Sequence, residues 1–525
     1  MRFRCKKWRV CFGTVLLMVL SGAGGCTGDG SDENGSGRSR TLTVGLSTAP
    51  KTLDPRLATD VASARVQQLV YNSLVRKTRT SDIVPDLAES WEMTDDRTYV
   101  FRLRKNVRFH DGSECDASDI KANFEAIMTE SLASPKKAAY EKLKSISIVD
   151  SYTIVFETTE PFAPFLINMV LGILPEEQAR NVDPEKPVQP IGTGPFRWIE
   201  RDGDDRFVLE SYADYFEGKP PMDRVVFRVI PDDSIRLMEL EKGSIDFMQN
   251  NIPPDAVQAL RDNPAIEVRS APGTSYFYLG FNFRLSHHPT RDVRVRQALA
   301  HALNRDEIIT HVLGGMASKT ETLLPADHWA VHHALPVIRW DLEEAGRLLD
   351  EAGYPINDAG IRFPIEFKVS QNNQSRRLAE IIQAQWAAIQ VQVTIRSLEW
   401  GTFSEDIIDG NFESYVLSWV GVTDPDIYHS LFHSSAVPPN GRNRGRFSDA
   451  DVDRLLNSAR VTMDQTQRSQ IYQDLQGILH EKLPYISLWH THNVAAMKAG
   501  LDHFELYPAG ELDSFAVIEW RTTPQ

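Results

Sequence analysis

The sequence predicts a mixed α/β protein, because strand and helix patterns follow one another along most of the chain. Thr41–Leu46 alternates apolar and polar residues like a half-buried strand, and residues 225–230 form a nearly continuous apolar run. A helical apolar stripe over residues 378–389 leads directly into the alternating segment 391–395. A helix that feeds a strand in this way is a unit of an α/β domain.

Further segments support the same fold class. Residues 295–303 carry one apolar helical stripe, and Asp341 with Glu344 three residues later predicts a capped helix that ends at Gly353. Residues 99–103 alternate as a strand. His110, Asp111 and Gly112 follow them as turn residues, which predicts a surface hairpin.

Length and charge limit the possible functions. The body after residue 40 is far longer than the roughly 100–200 residues of one domain, so we expect two or three domains. The net charge is −15, and removal of the five positive charges near the start leaves about −20. Such an acidic chain argues against nucleic-acid binding, which needs phosphate-neutralising Lys and Arg.

The first 26 residues predict export. A basic start is followed by the apolar run 10–20 and by small residues that lead into Cys26. Residues 23–26, Ala-Gly-Gly-Cys, resemble a bacterial lipobox, which implies that Cys26 carries lipid after residues 1–26 act as a lipoprotein signal peptide. Residues 27–40 are polar and predict a flexible tether. The alternative is ordinary secretion with release of a soluble protein.

Cysteine, histidine and motif patterns give no sign of catalysis. After export only Cys115 would remain besides Cys26, so no internal disulfide is expected, and we predict that Cys115 is packed rather than reactive. No G-x-S-x-G, H-E-x-x-H, P-loop or G-x-G-x-x-G motif occurs. His490 and His492 would share a face of a strand, but hydrogen-bonded histidines are commoner than metal ligands. We therefore predict no catalytic residue, no metal and no cofactor.

Several segments resemble one family in its own order. They are P-K-T-L-D-P at 50–55, V-P-D-L-A-E-S-W-E at 84–92, L-R-K-N-V-R-F-H-D-G at 103–112, G-T-G-P-F at 192–196 and D-V-R-V-R-Q-A at 292–298. This chain is thus identified as similar to the family 5 extracellular solute-binding proteins, the dipeptide-, oligopeptide- and nickel-binding components of ABC importers. The motifs also have structural interpretations, since Gly192 and Gly194 permit backbone angles that other residues resist.

The resemblance implies a large, class II-like periplasmic-binding-protein fold of two lobes with an extra subdomain inserted in the N-terminal lobe. Lobe I would comprise residues 41–75, 188–275 and 490–525, and the inserted subdomain residues 76–187. Lobe II would comprise residues 276–489. The chain would cross between lobes near Tyr276 and Trp489, and such crossings serve as hinges.

The resemblance also indicates where a ligand would lie. In peptide-binding relatives a Trp equivalent to Trp419 is followed three residues later by an Asp that pairs with the peptide amino group; here that position is Val422, and the first Asp is Asp424. Some relatives carry an Arg three residues before the Trp, where this chain has Val416. Either Asp424 takes over the ammonium role, or the ligand is not a standard peptide.

Trp419 and Asp424 are the first candidate ligand contacts, and three aromatic residues join them. Trp400 matches another cleft aromatic of the oligopeptide binders, and Tyr276 and Tyr278 lie near a predicted hinge. Residues 442–444, Arg-Asn-Arg, either hold an anionic group or form a solvated loop.

These features predict a lipid-anchored receptor on the periplasmic side of a bacterial membrane. It would bind a small molecule, peptide or peptide-like ligand and deliver it to an ABC permease and ATPase complex, without nucleic-acid partners and as a monomer. The alternatives are a secreted hydrolase that uses cleft carboxylates, and a sensor or chaperone built on the same fold.

Overall fold

Strands and helices alternate through the computed structural model, which describes residues 40–183, 186, 188–203 and 205–521. The predicted leader with Cys26, and the tether as far as residue 39, lie outside the described residues. The strands are β1 (Thr41–Leu46), β2 (Val75–Lys77), β3 (Ile83–Pro85), β4 (Ala88–Asp95), β5 (Thr98–Leu103), β6 (Leu143–Asp150), β7 (Thr153–Thr158), β8 (Phe196–Asp202), β9 (Arg206–Ser211), β10 (Arg224–Val229), β11 (Phe247–Gln249), β12 (Ile266–Phe281), β13 (Ala317–Lys319), β14 (Phe363–Ser370), β15 (Val391–Leu398), β16 (Ser414–Trp419), β17 (Tyr485–Lys498), β18 (Leu501–Asp502) and β19 (Glu519–Trp520).

Most of the helices connect these strands. They are α1 (Val61–Val70), α2 (Ala117–Met128), α3 (Phe165–Asn168), α4 (Glu176–Ala179), α5 (Asp233–Glu241), α6 (Pro254–Asp262), α7 (Val293–His301), α8 (Arg305–His311), α9 (Leu342–Glu351), α10 (Asn373–Ala387), α11 (Trp400–Asp409), α12 (Ile427–Phe432), α13 (Ala450–Val461) and α14 (Gln465–Lys482). Within the described residues no helix combines the length and the apolarity that crossing a bilayer requires.

One large sheet organises the fold. Its order is β15-β14-β16-β12-β17-β11-β1-β10-β9-β8, with β13 paired to β17. β1 runs parallel to β10 and β11, and β14 runs parallel to β15 and β16. The long strands β12 and β17 are antiparallel and lie between these two parallel groups. The predicted α/β class is therefore confirmed, and the two parallel groups form the centres of two lobes.

Separate hydrophobic cores mark the parts of the fold. Lobe I, the part around β1 and β8–β11, has a core that includes Leu42, Phe227 and Phe515. Lobe II, the part around β14–β16, holds two further cores. A four-stranded sheet, β4-β5-β7-β6, packs with α2 around its own core and is called the inserted sheet here. The residue boundaries of lobes and subdomain given above stay predictions.

A register shift interrupts the pairing of β12 with β17. Pro272 lies opposite His492 and Ser275 lies opposite Thr491, so Gly273 and Thr274 form a bulge. The lobe I ends of both strands lie on one side of this bulge and the lobe II ends on the other. The predicted crossings near Tyr276 and Trp489 lie beside it.

The predicted hairpin turn forms, because Arg108 and Glu114 pair across it and Asp111 and Gly112 are exposed, but the His110 ring packs inward. Its ring Nε2 lies 3.0 Å from the Gly194 carbonyl oxygen, and the Gly192 N–H donates to Nδ1 at 3.3 Å. Burial lowers the pKa of His110 to about 4, so the ring is neutral and accepts this bond. The turn of the 103–112 motif is therefore packed against the 192–196 motif, a long-range contact that local turn propensity does not reveal.

Gly192 and Gly194 are required for close packing rather than for unusual backbone angles. A Cβ on Gly192 would lie 2.0 Å from the Val70 carbonyl oxygen, and one on Gly194 would lie 2.6 Å from the Val70 carbonyl carbon. Neither glycine has a left-handed φ. The expectation of permissive angles is wrong here, because the end of α1 passes too near for any side chain.

Asp86 completes this junction between lobe I and the inserted sheet. Its carboxylate accepts from Asn72 Nδ2 and from the Ser73 N–H, both at 2.8 Å, and Asn72 Oδ1 accepts from Thr193 Oγ1 at 3.2 Å. Asp86 is only 2% exposed. Burial raises the pKa of Asp86 to about 6.

Local sequence signals elsewhere predicted the structure well. Asp341 caps α9 by accepting from the Glu344 N–H at 2.9 Å, as the capping pattern predicts. Trp386 is fully buried on α10. Cys115 is a free thiol in the core of the inserted sheet, which confirms that it is packed.

Replacement of Gly192 by Ala tests the junction. The new Cβ meets backbone, which cannot move aside cheaply, so we expect the free energy of unfolding to fall by about 3 kcal/mol. Urea unfolding measures this. Gly477→Ala is the matched control, because α14 has open space at that position, and it should add about 1 kcal/mol of stability. Equal effects of the two substitutions would contradict the close approach.

Asp86→Asn tests the buried carboxyl group. The folded pKa of about 6 lies above the ordinary 3.8. The group therefore favours folding at low pH, and this contribution is lost as pH rises from about 4 to about 6. Between these limits the wild type should lose up to about 3 kcal/mol relative to Asp86→Asn. Urea unfolding across pH measures the difference, and exposed Asp214→Asn should follow the wild-type curve. If the free energy of unfolding depended on pH in the same way for Asp86→Asn and for the wild type, this prediction would be contradicted.

Candidate functional site

A large cleft lies where β12 and β17 pass between the lobes. Its volume is about 1120 Å³. Ser275 and Phe277 of β12 line it together with residues 491–494 of β17. The remaining walls come from both lobes, so a molecule in this cleft contacts lobe I and lobe II at once.

In lobe I the cleft is built from loops that follow parallel strands. Ser47 and Thr48 follow β1, Asp233 and Arg236 follow β10, and residues 250–255 follow β11. Because the carboxyl ends of parallel strands meet at one edge of a sheet, these loops come together there. Residues 61, 62 and 65 of α1 complete this wall.

Lobe II repeats the arrangement. Residues 372–374 and Arg377 belong to the start of α10, which follows β14, and Val420 follows β16. α10 begins at the cleft, with Asn372 as its N-cap. Val312, Leu313 and Met316 add an apolar surface beyond α8. Both lobes therefore present to the cleft the edge at which α/β proteins bind ligands.

Charged groups of the cleft differ in how well they are paired. Arg236 is 1% exposed and donates to Asp233 at 2.5 Å and to the Ile230 carbonyl at 2.6 Å. Arg65 makes only long bonds, 3.3 Å to the Gly510 carbonyl and 3.5 Å to the Gln249 carbonyl. Burial lowers the pKa of Arg65 to about 10, so it is still a cation at neutral pH.

Tyr276 and Tyr278 lie on the opposite face of β12 from the cleft. Successive side chains of a strand point to opposite faces, and Ser275 and Phe277 take the cleft face. Tyr276 and Tyr278 are buried, and their rings stack at 5.7 Å. Their assignment as ligand contacts stays a prediction, and the structure places both in a lobe II core.

Trp419 continues this aromatic stack. Its ring lies 6.1 Å from Tyr278 and is parallel to it within 3°. The Arg444 guanidinium lies 4.5 Å above Trp419 and that of Arg442 lies 5.6 Å away. Trp419 is 9% exposed, and the next residue, Val420, lines the cleft. Trp419 is thus part of a lobe II core next to a cleft residue in the chain, and direct ligand contact by it stays a prediction.

Asp424 lines a second cavity of about 370 Å³ rather than the main cleft. The cavity lies between residues 138–168 and residues 421–460. Burial raises the pKa of Asp424 to about 6, with Arg468 acting in the opposite direction. The neighbouring Asp426 is held by Arg460 through two bonds of 2.7 Å. A role for Asp424 toward an ammonium group stays a prediction.

Trp400 begins α11 directly after β15 and is 58% exposed. It shares the sheet edge of the cleft-forming loops but does not border the cleft cavity itself. Its contact with a ligand stays a prediction as well.

The histidine pair is hydrogen-bonded within the protein. His490 Nε2 lies 3.0 Å from the Leu323 carbonyl oxygen, and His492 Nε2 lies 2.8 Å from Ser318 Oγ. Burial lowers the pKa of His490 to about 4. Among the residues that the structure describes, no three His, Cys, Asp or Glu side chains come together as metal ligands.

No motif singled out the polar residues that line the main cleft, in particular Arg65, Gln249 and Arg377. A signal was present for Gln249, because it ends an apolar segment before Asn-Asn and so marks the end of a buried strand. If the parallel pairing of β11 with β1 had been known, Gln249 would have been placed at the cleft. That pairing spans two hundred residues of chain and is not visible locally.

Comparison with known proteins agrees with this architecture. The family model described as bacterial extracellular solute-binding proteins, family 5 Middle, matches residues 82–438. The dipeptide-binding protein of Escherichia coli (strain K12) is 30% identical over 90% of this chain and 94% of its own length. Heme-binding protein A of Haemophilus influenzae is 30% identical over 88% and 89%. The oligopeptide-binding protein AppA of Bacillus subtilis, solved with a nonapeptide, has a TM-score of 0.76 at 27% identity, covering 92% of this chain and 99% of that chain. The chain belongs to the family 5 bacterial extracellular solute-binding proteins.

Proposed function

We propose that this protein captures a peptide or peptide-like solute in the main cleft and delivers it to an ABC permease and ATPase complex. It acts as a monomer on the periplasmic side of a bacterial membrane, held there by lipid on Cys26. The solute is released unchanged, so the protein is a receptor and not an enzyme.

The cleft shared by both lobes is the observation that carries this proposal. Ligand sites of proteins usually enclose roughly 300–1,000 Å³, and the cleft of about 1120 Å³ has room for a short peptide. Its lining combines apolar residues such as Phe277, Val312 and Leu313 with side-chain amides such as Asn251 and Asn373. Amides both donate and accept hydrogen bonds, as peptide groups do.

Lobe closure supplies the mechanism. A ligand held only by one lobe would not change the lobe arrangement, whereas a ligand that contacts both favours the closed form by its extra contacts. The bulge at Gly273 and Thr274 provides a place where the paired strands bend. Closure therefore converts ligand binding into a shape that a permease can recognise.

Relatives that bind peptides support the choice of ligand. They include a dipeptide-binding protein and an oligopeptide-binding protein solved with a nonapeptide, although another relative is a heme-binding protein. Val416 and Val422 stand where peptide binders are expected to carry Arg and Asp. The charged ends of a peptide must therefore be recognised by other residues of the cleft.

Capture and closure are tested together. The full-length protein is purified in detergent, denatured, and the released small molecules are identified by mass spectrometry; we expect intact peptides. Spin labels at Asp214→Cys in lobe I and Glu405→Cys in lobe II should then approach each other by several ångströms when those peptides are added back. Labels at Glu380→Cys and Glu405→Cys, both in lobe II, are the control and should not move. Hydrolysed fragments, or an unchanged distance between lobes with peptide bound, would refute the proposal.

The lipid anchor is tested by Cys26→Ser. Loss of the thiol removes the attachment point, so the protein should move from the membrane pellet to the soluble fraction of a bacterial host. Cys115→Ser is the matched control and should stay in the pellet, because Cys115 is buried in the inserted sheet. Fractionation with immunoblotting measures both. Retention of Cys26→Ser in the pellet would argue against anchoring at this residue.

A further inference from the structure

Gln249 has an unusual environment in the wall of the main cleft. It is 7% exposed and lines the cavity. Neither Nε2 nor Oε1 of its side chain has a hydrogen-bond partner among the described residues. A buried amide without hydrogen-bond partners destabilises the folded protein. Because the side chain borders the ligand cavity, a ligand that both donates and accepts would remove this cost.

Arg65 and Gln249 both lie close to Gly510. A Cβ on Gly510 would lie 3.2 Å from Arg65 Nη2 and 3.2 Å from Gln249 Nε2. The two nitrogens are therefore close enough to donate to the same group. Gly510 has a φ of +84° and carries no side chain that would fill the space between them.

No carboxylate of the described residues forms an ion pair with Arg65. Its only hydrogen bonds among the described residues are the two long ones to carbonyl oxygens. Glu511 is near enough to raise the pKa of Arg65, but its carboxylate pairs with Lys77 at 3.5 Å. The other cation on this wall, Arg236, is paired with Asp233. Arg65 is thus the lobe I cation left to meet an anionic ligand group.

Lobe II adds positive potential from the other side. α10 begins at the cleft, and the N-terminus of a helix carries a partial positive charge. Arg377, one turn further along, lines the same cavity. An anion bound at Arg65 would therefore also be attracted by lobe II as the lobes close.

We propose that Arg65 and Gln249 form the subsite for the C-terminal residue of a peptide, with Arg65 and Gln249 Nε2 donating to its free carboxylate and Gln249 Oε1 accepting its last amide N–H. This rests on the peptide-binding function proposed above and names the ligand class: peptides, or N-acyl amino acids, with a free carboxyl end. A single cation matches the charge of a carboxylate. Gln249 Oε1 accepts a hydrogen bond, so the ligand must carry an N–H donor next to its anionic group. The C-terminal residue of a peptide has such a donor, and a phosphate ester does not.

Three matched tripeptide libraries test the subsite: free acids, C-terminal amides, and free acids with the last amide N-methylated. Each is mixed with the full-length protein in detergent, and retained peptides are quantified by ultrafiltration and mass spectrometry. The wild type should retain acids about thirtyfold better than amides. It should also reject N-methylated acids. Arg65→Gln should bind acids and amides alike, at the wild-type level for amides.

Gln249→Met should keep a preference for acids but should no longer reject N-methylation. Arg454→Gln, an exposed arginine of α13 outside the cleft, is the control and should behave as wild type. Each variant is compared across the three libraries. A general loss of stability would lower the retention of all three equally, so it cannot produce these differences. Equal retention of acids and amides by the wild type, or an acid preference that survives in Arg65→Gln, would overturn the subsite and leave the peptide receptor intact. If no library is retained, the receptor proposal fails and the subsite with it.

Discussion

The antiparallel pairing of β12 with β17 is the constraint on which the two-lobed structure depends. Both strands run through both lobes, so their ladder joins the two sheet halves and keeps them in fixed order. The bulge at Gly273 and Thr274 interrupts the ladder, and a second register shift lies between Phe277 and Tyr278. Gly273 has no space for a side chain, since a Cβ would lie 2.6 Å from the Thr491 carbonyl oxygen. Thr274 bonds to Pro508 on one side and to Val422 on the other, which links the bulge to loops beside the cleft.

The cleft follows from this pairing together with the direction of the neighbouring strands. Three parallel strands in each lobe end at an edge that faces the other lobe, so the loops after them meet across the gap. The topology of the sheet therefore determines which residues line the cleft. Ser47, Gln249 and Asn372 are far apart in sequence and become neighbours because each stands at or just after a parallel strand.

Local sequence patterns predicted individual helices and strands better than they predicted contacts between distant segments. The cap at Asp341, the helix around Trp386 and the first strand all follow from signals within a few residues, and they formed as predicted. The packing of His110 against Gly192 depends on segments about eighty residues apart, which no local pattern records. The period of two along β12 predicts that Tyr276 and Phe277 face opposite ways, but not which face borders the cleft.

Family identity and ligand choice are consequently encoded by different residues. The motif residues Asp86, His110 and Gly192 meet at the junction of lobe I with the inserted sheet, where they satisfy buried polar groups and permit close packing. None of them lines the cleft. Val416 and Val422 are buried in the lobe II cores and do not line the cleft either. A peptide receptor that lacks charges at those two positions requires them elsewhere. Arg65, which makes only two long hydrogen bonds, and the Gln249 amide, which has no partner among the described residues, both lie on the lobe I wall of the cleft.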